Sequence, residues 1–317
     1  MKYLTKFLFI ALISSTFLFQ SCDDDDNITT MSNITTTAVG DPELSTLVAA
    51  LTRAGLVDDL NATGPFTVFA PTNAAFQDLL DNNNFGWNSL DDIDDATLTA
   101  VLLYHVVSGS VKSTDLSTDY VPSLSDGAAG TKADIYVDIT SGVVLNGSTT
   151  VTTADIMATN GVIHKINKAL LPPTVVDIAL NNSNFTSLVA ALTRTGNTTD
   201  FVSVLSGTGP FTVFAPTNTA FQALLDSNND WTTLADIPEP TLDAVLKYHV
   251  VNNANVLAGT LTDGQVVTTL GGSTFEIDLS TGAQIVTGSN ATNVNIIITD
   301  VQGTNGVVHA VDQVLLP

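Results

Sequence analysis

Apolar positions fall into two alternating rhythms along this chain, and each rhythm occurs twice. Leu44, Leu47, Val48 and Leu51 stand at i, i+3, i+4 and i+7, as do Phe185, Leu188, Val189 and Leu192, which predicts two core-facing helices. Gly55 and Gly196 stand where each would stop. Leu98, Val101, Leu102 and His105 repeat the spacing further on. Later segments change to period two. Ile135–Ile139, Val143–Leu145 and Thr149–Ile156 read as strands, with Asn146-Gly147 as a hairpin signal. Phe275–Leu279, Gln284–Thr287 and Val294–Thr299 repeat that arrangement.

The recurrence is an internal duplication. Gly64–Phe76, GPFTVFAPTNAAF, returns as Gly209–Phe221 with only Ala74 changed, to Thr219. LSTLVAALTRAG (44–55) returns as FTSLVAALTRTG, VLLYHVV (101–107) as VLKYHVV, and NGVIHKINKALLP (160–172) as NGVVHAVDQVLLP, all in the same order. A period near 145 residues suits a domain rather than a solenoid unit. Within the central block, Phe66–Phe69 reads as a strand, Ala70-Pro71 as its stop, and Thr72-Asn73 as a cap for the helix that follows. Leu171-Pro172-Pro173 reads as a short stiff link, and the last residues, Leu315-Leu316-Pro317, reach the equivalent point of the second copy.

These repeated blocks carry a resemblance. TVFAPTNxAF, then YHVV, then NGVxHxIxxxLLP resembles the fasciclin domain, a family of extracellular adhesion modules, across residues 36–317. The resemblance implies an α+β chain of two tandem domains, 38–173 and 174–317. Each is expected to be a wedge-like β-sandwich with several packed helices and no cofactor. It also implies adhesion or matrix binding, with a matrix or cell-surface protein or glycan as partner. Tyr104-His105 and Tyr248-His249 match the tyrosine–histidine adhesion motif of animal fasciclin proteins. Asp155-Ile156 match the core of the family's Asp–Ile motif, although Thr153-Ala154 depart from its usual lead, and Asp300-Val301 are a weaker match.

The N-terminus changes the setting. Lys2 and Lys6 precede an apolar run that Ser14-Ser15-Thr16 interrupt, so residues 1–21 read as an export signal rather than a membrane span. Phe19–Cys22 resembles a bacterial lipobox with Cys22 as the lipidated residue, Gln20 departing from the usual pattern. Asp23–Asp26 directly after it resemble the acidic signal that sends Bacteroidetes lipoproteins to the outer surface, and residues 22–37 read as an acidic, Thr-rich tether. An exported outer-membrane lipoprotein, surface-exposed and held to the membrane only by its lipid, is the expectation. With Cys22 the sole cysteine, no intramolecular disulfide is possible.

Charge narrows the partners. The formal net charge is −23, with Arg53 and Arg194 the only arginines, which opposes binding to nucleic acid and to anionic lipid. Acids ahead of the third helix (Asp91, Asp92, Asp94, Asp95; Asp236, Glu239) read as caps rather than calcium ligands. All four histidines occupy equivalent positions, His105 with His249 and His164 with His309. A metal pair or pH sensor is one reading; the spacing favours buried, neutral, hydrogen-bonded side chains. No nucleophile elbow, zinc motif, phosphate loop or dinucleotide fingerprint occurs, so no enzyme is expected. The alternatives are a carbohydrate- or small-ligand-binding lipoprotein for nutrient capture, and a structural envelope protein.

Overall fold

The computed structural model describes residues 31–81 and 85–317. The export signal, Cys22 and the acidic run lie outside the described residues. From Met31 onward the chain forms one compact unit.

The first copy begins with three helices, α1 (Ile34–Val39), α2 (Ser45–Arg53) and α3 (Val57–Asn61). Next come β1 (Phe66–Pro71), α4 (Asn73–Asp81) and α5 (Asp95–Tyr104). Six strands complete it: β2 (Val106–Ser108), β3 (Asp119–Asp126), β4 (Lys132–Asp138), β5 (Val144–Leu145), β6 (Thr149–Ala158) and β7 (Gly161–Ile166). The second copy repeats this order. Its helical start is α6 (Val175–Leu180), α7 (Thr186–Leu192) and α8 (Phe201–Leu205). Then follow β8 (Phe211–Pro216), α9 (Asn218–Asp226), α10 (Glu239–Tyr248) and β9 (Val250–Asn252). The last strands are β10 (Val266–Thr268), β11 (Thr274–Asp278), β12 (Gln284–Val286), β13 (Val294–Gly303) and β14 (Gly306–Val311).

Each copy is a sandwich whose two sheets share a long strand. In the first, β2–β1–β7–β6 form one sheet and β3–β4–β5–β6 the other; a single pairing of Val107 with Ser123 closes the ring. Strand β6 can serve both sheets because bulges between Val151 and Ile156 bend it at the corner. In the second copy β13 turns the same corner, and the ring lacks only the β9–β10 ladder, where Leu270 N donates to Val250 O at 2.6 Å.

Strand β1 sits at the centre, parallel to β7 from Phe66 beside Gly161 to Pro71 beside Ile166. Both its faces are covered. Phe69 points between the sheets with Tyr104, Ile135 and Ile166, while Val68 and Ala70 meet the helices through Leu51, Phe76 and Leu98. That double burial explains a strand whose residues are apolar without alternation. Its helical neighbour is capped by Thr72, whose hydroxyl accepts from Ala75 N at 3.3 Å. Asn73 does something else: its amide accepts from Thr46 N at 2.9 Å and donates to Pro42 O at 2.8 Å, tying α4 to the start of α2. Of the acids ahead of α5, Asp92 and Asp94 are caps, Asp92 accepting from the Asn88 and Ser89 amides and Asp94 from Thr97 N, while Asp91 and Asp95 pair with Arg53.

One expectation needs correction, and one element was not foreseen. The tether does not extend to residue 37: Asn33 caps α1, and Ile34 (2% exposed), Thr35 and Ala38 are buried against the domain. Polar threonines masked this helix, whose few apolar residues are held by tertiary contacts rather than by a periodic stripe. Strand β3 also lay hidden in the sequence, since Pro122, Ser123 and Ser125 interrupt any apolar alternation. Its serines are buried, and Ser123 Oγ donates to Ala133 O at 2.7 Å.

The copies pack head to tail. Gln302 N in β13 donates to Asp134 Oδ2 in β4 at 2.7 Å, Thr131 Oγ1 donates to Gln302 Oε1, and Asn182 Nδ2 donates to the Tyr120 hydroxyl at 2.8 Å. Burial at this seam pushes the Asp134 carboxyl up to about 6. The proline link is strapped to the second copy, Pro173 O accepting from Thr304 N at 2.7 Å.

The tightest backbone approach is at Gly161, where a Cβ would lie 2.0 Å from Phe66 O at a φ of +155°. Gly161→Ala is expected to lower stability by at least about 2 kcal/mol in chemical denaturation, by forcing β7 off β1.

Candidate functional site

Helix α5 ends at Tyr104, and the chain turns through His105 into β2. Both side chains point inward. The Tyr104 hydroxyl donates to Asp134 O at 2.7 Å and accepts from Asn146 Nδ2 at 3.0 Å, and burial pushes its ionisation up. His105 Nε2 accepts from Leu170 N at 2.8 Å, which places the ring proton on Nδ1, donated to Val101 O at 2.7 Å. The imidazole thus joins the helix end to the Ala169–Leu171 segment leading out of the domain. His249 repeats this between Val245 O and Leu315 N, and Tyr248 donates to Thr274 O at 2.8 Å. Burial lowers both His105 and His249 to about 4, so they are neutral at ordinary pH.

The Asp–Ile position lies on the bulge of β6. Asp155 has a φ of +61° and Asp300 one of +62°, a left-handed conformation that Asp tolerates better than most residues. The turned backbone aims Asp155 N at His164 Nδ1 (3.2 Å) and the carboxylate at Ser113, accepting from its amide at 2.8 Å and its hydroxyl at 2.6 Å. Those donors hold the Asp155 carboxyl below the usual range. His164, fully buried and stacked on Phe69 at 5.6 Å, donates from Nε2 to Val111 O at 2.9 Å. The unit therefore pins the segment after β2 onto the sandwich. Asp300, His309, Val256 and Ala258 do the same in the second copy, where Asp300 Oδ1 accepts from Ala258 N at 2.7 Å.

A serine, an aspartate and a histidine in contact invite a catalytic reading, which the geometry opposes. Asp155 stands between Ser113 and His164, and both imidazole nitrogens are already bonded to backbone groups, so His164 cannot take the serine proton. In the second copy Ala258 replaces Ser113 and the amide bond persists. The contact that both copies keep is structural.

Burial sorts the candidate adhesion residues. Tyr104, His105, Tyr248, His249 and Val301 are all buried, whereas Asp155, Ile156 and Asp300 are half-buried and reachable. No hydrogen bond among the described residues links the Tyr–His pair to Asp155 or Ile156. The Asp–Ile corner is open to the folded surface, whereas the Tyr–His pair belongs to the interior. Asn160 is the buried polar residue that motif reading left without a role. Its Oδ1 accepts from Ile34 N at 2.9 Å, and its Nδ2 donates to Leu60 O at 2.8 Å and Ala62 O at 2.9 Å. Asn305 repeats all three bonds with Val175, Leu205 and Gly207, so its recurrence beside Gly161 and Gly306 was the available signal.

Two outcomes are expected. His105→Gln should cost about 1–3 kcal/mol at pH 7 through lost buried hydrogen bonds. Because the folded pKa of His105 is depressed, its contribution is complete above the unfolded value of 6.5 and lost as pH falls towards about 4. The gap between wild type and variant in denaturant titrations should therefore narrow over that window; Asp134, which acts in the opposite direction, is common to both. Asp155→Ala should cost about 1–3 kcal/mol and increase amide exchange across residues 109–113, read by hydrogen–deuterium exchange.

The fasciclin domain family matches residues 42–172 and 183–317. Human periostin is 29% identical over 266 residues, an alignment covering 83% of this chain and 29% of periostin. The chain thus spans under a third of that relative's length. Protein sll1483 of Synechocystis is 40% identical over 136 residues, 43% of this chain and 71% of that protein. Among solved structures, the FAS1 domain pair from the insect cell adhesion molecule fasciclin I aligns with a TM-score of 0.49 and 19% identity, covering 87% of this chain and 97% of that one. With matches spanning both copies, the chain belongs to the fasciclin domain family and carries two of its domains in tandem.

Proposed function

We propose that this protein is a surface-anchored adhesion or matrix-binding lipoprotein, acting by noncovalent contact through its two fasciclin domains. The observation that carries the reading is the tandem pair of these domains, known from cell-adhesion proteins, behind an N-terminal sequence with the features of an export signal and a lipobox. The binding role also suits the chemistry of the interior. Histidines, Asp155 and Ser113 are engaged in holding loops to the sandwich, which leaves exposed surface and not a reactive centre as the working part. Cys22 is the anchor in this reading, and residues after it hold the first domain away from the lipid. The partner is a matrix or cell-surface protein or glycan, met at the Asp155–Ile156 corner, its Asp300 counterpart, or another exposed face. Two domains fixed in one unit present both corners at constant spacing, which favours avidity on a repetitive partner.

Protease treatment of intact cells tests the placement. Native protein should be shaved from the surface, whereas a Cys22→Ala variant should be lost from the envelope fraction. Protection of the native protein would place it in the periplasm and end the adhesion reading. Cells lacking the protein should also lose attachment to a matrix-coated surface.

A further inference from the structure

A cleft opens where the two copies meet beside the Leu171-Pro172 link. It has two lobes that share Phe85, Leu171 and Pro172. One lobe, about 530 Å³, is faced by Ser148, Thr149, Asn181 and Ser206; the other, about 500 Å³, is faced by Trp87 and Thr97. Each is wide enough for a sugar ring with its first water shell.

The aromatic pair at the mouth is the informative feature. Phe85 is 60% exposed and stacks on Trp87, with ring centroids 4.4 Å apart and planes inclined by 22°. The second copy shows which ring the fold requires. Trp231 holds the place of Trp87, three residues before an equivalent leucine (Leu234, Leu90), and both indoles pack against their helical cores. Phe85, by contrast, is matched by Asn229. The domain folds without that phenyl ring, and the ring occurs only in the copy whose tryptophan end faces the interdomain cleft. Leaving a large ring exposed forgoes burial energy, and such surface marks contact sites.

The polar lining agrees in kind. The hydroxyls of Ser148 and Ser206 and the amide of Asn181 make no side-chain hydrogen bond among the described residues, so they are available to a ligand. No lining side chain is basic, and an acid stands at each lobe, Asp177 at one and Asp94 at the other. A flat apolar ring beside hydroxyl, amide and carboxylate groups fits the C–H face and hydroxyl rim of a pyranose. A sulfated or uronic-acid glycan would bring like charge against both acids in a chain of net charge −23.

We propose that the interdomain cleft binds a neutral saccharide, with Phe85 as the stacking platform and Ser148, Asn181 and Ser206 as hydrogen-bonding partners. This rests on the surface-binding function above and gives it a ligand class and a place. The site exists only in the docked pair, since the lining comes from both copies.

The test uses the purified full chain on an array of neutral oligosaccharides beside sulfated and uronic-acid counterparts, followed by calorimetric titration of the strongest neutral ligand. Phe85→Ala should weaken binding at least about fivefold with an unchanged melting temperature, and Phe85→Tyr should retain it. Ser148→Trp, on an exposed hairpin loop, should block the larger lobe and abolish binding. Failure to retain any neutral saccharide, equal affinity of Phe85→Ala and wild type, or preference for the charged glycans would each overturn the proposal. Binding by purified protein reads the cleft alone, whereas attachment of cells lacking the protein judges the adhesion reading, so the two fail separately.

Discussion

The parallel pairing of β1 with β7 is the constraint on which each domain depends. It joins a strand near the beginning of the domain to the strand at its end, about a hundred residues apart, and everything else is fastened around it. Phe66 N donates to Asn160 O at the lip of this pair, and the Asn160 side chain gathers the start of α1 and the end of α3 from the same point. A glycine must follow, because at Gly161 the backbone of β1 leaves no room for a Cβ. The Asn-Gly of the repeated NGV block is thus the junction of helical layer and sandwich.

Polar residues carry an unusual share of this work. His105 fastens a helix end to the exit of the domain, His164 and Asp155 fasten a loop to the sheets, and Arg53 holds the Leu90–Ile93 turn by its carbonyls. The two histidines are bonded at both ring nitrogens, which is why they can be buried at all. The same economy explains why family adhesion motifs do not translate directly into contact residues. A Tyr–His pair that builds the interior is reached only by altering the packing around it.

Docking of the two domains adds something neither copy contains. The seam is polar: Thr131 and Asp134 bond Gln302 across it, Asn255 Nδ2 donates across it to Ala128 O, and the proline link is bound down by Thr304. Polar seams of this kind fix orientation more than they add stability. The cleft beside the link owes its shape to that fixed orientation, and the difference between Phe85 and Asn229 shows that the copies have diverged where it opens.

Much of this was legible in the sequence. The duplication, the helices of Leu44–Leu51 and Phe185–Leu192, the strand–corner–helix unit at Phe66–Leu80 and the inward histidines all followed from local periodicity and repetition, because each is decided by which face a residue must bury. Strand β3 and helix α1 did not follow, since their polar residues are held by partners far along the chain. Asn73 read as a cap and proved to be a tie between two helices, a role that needs Pro42 and Thr46 in place. The hydrogen-bond partners of Tyr104 and His105, the docking seam at Asp134 and Gln302, and the Phe85 cleft were decided by tertiary structure alone. Periodicity records which side of an element is apolar; it holds no record of which element, or which domain, that side will meet.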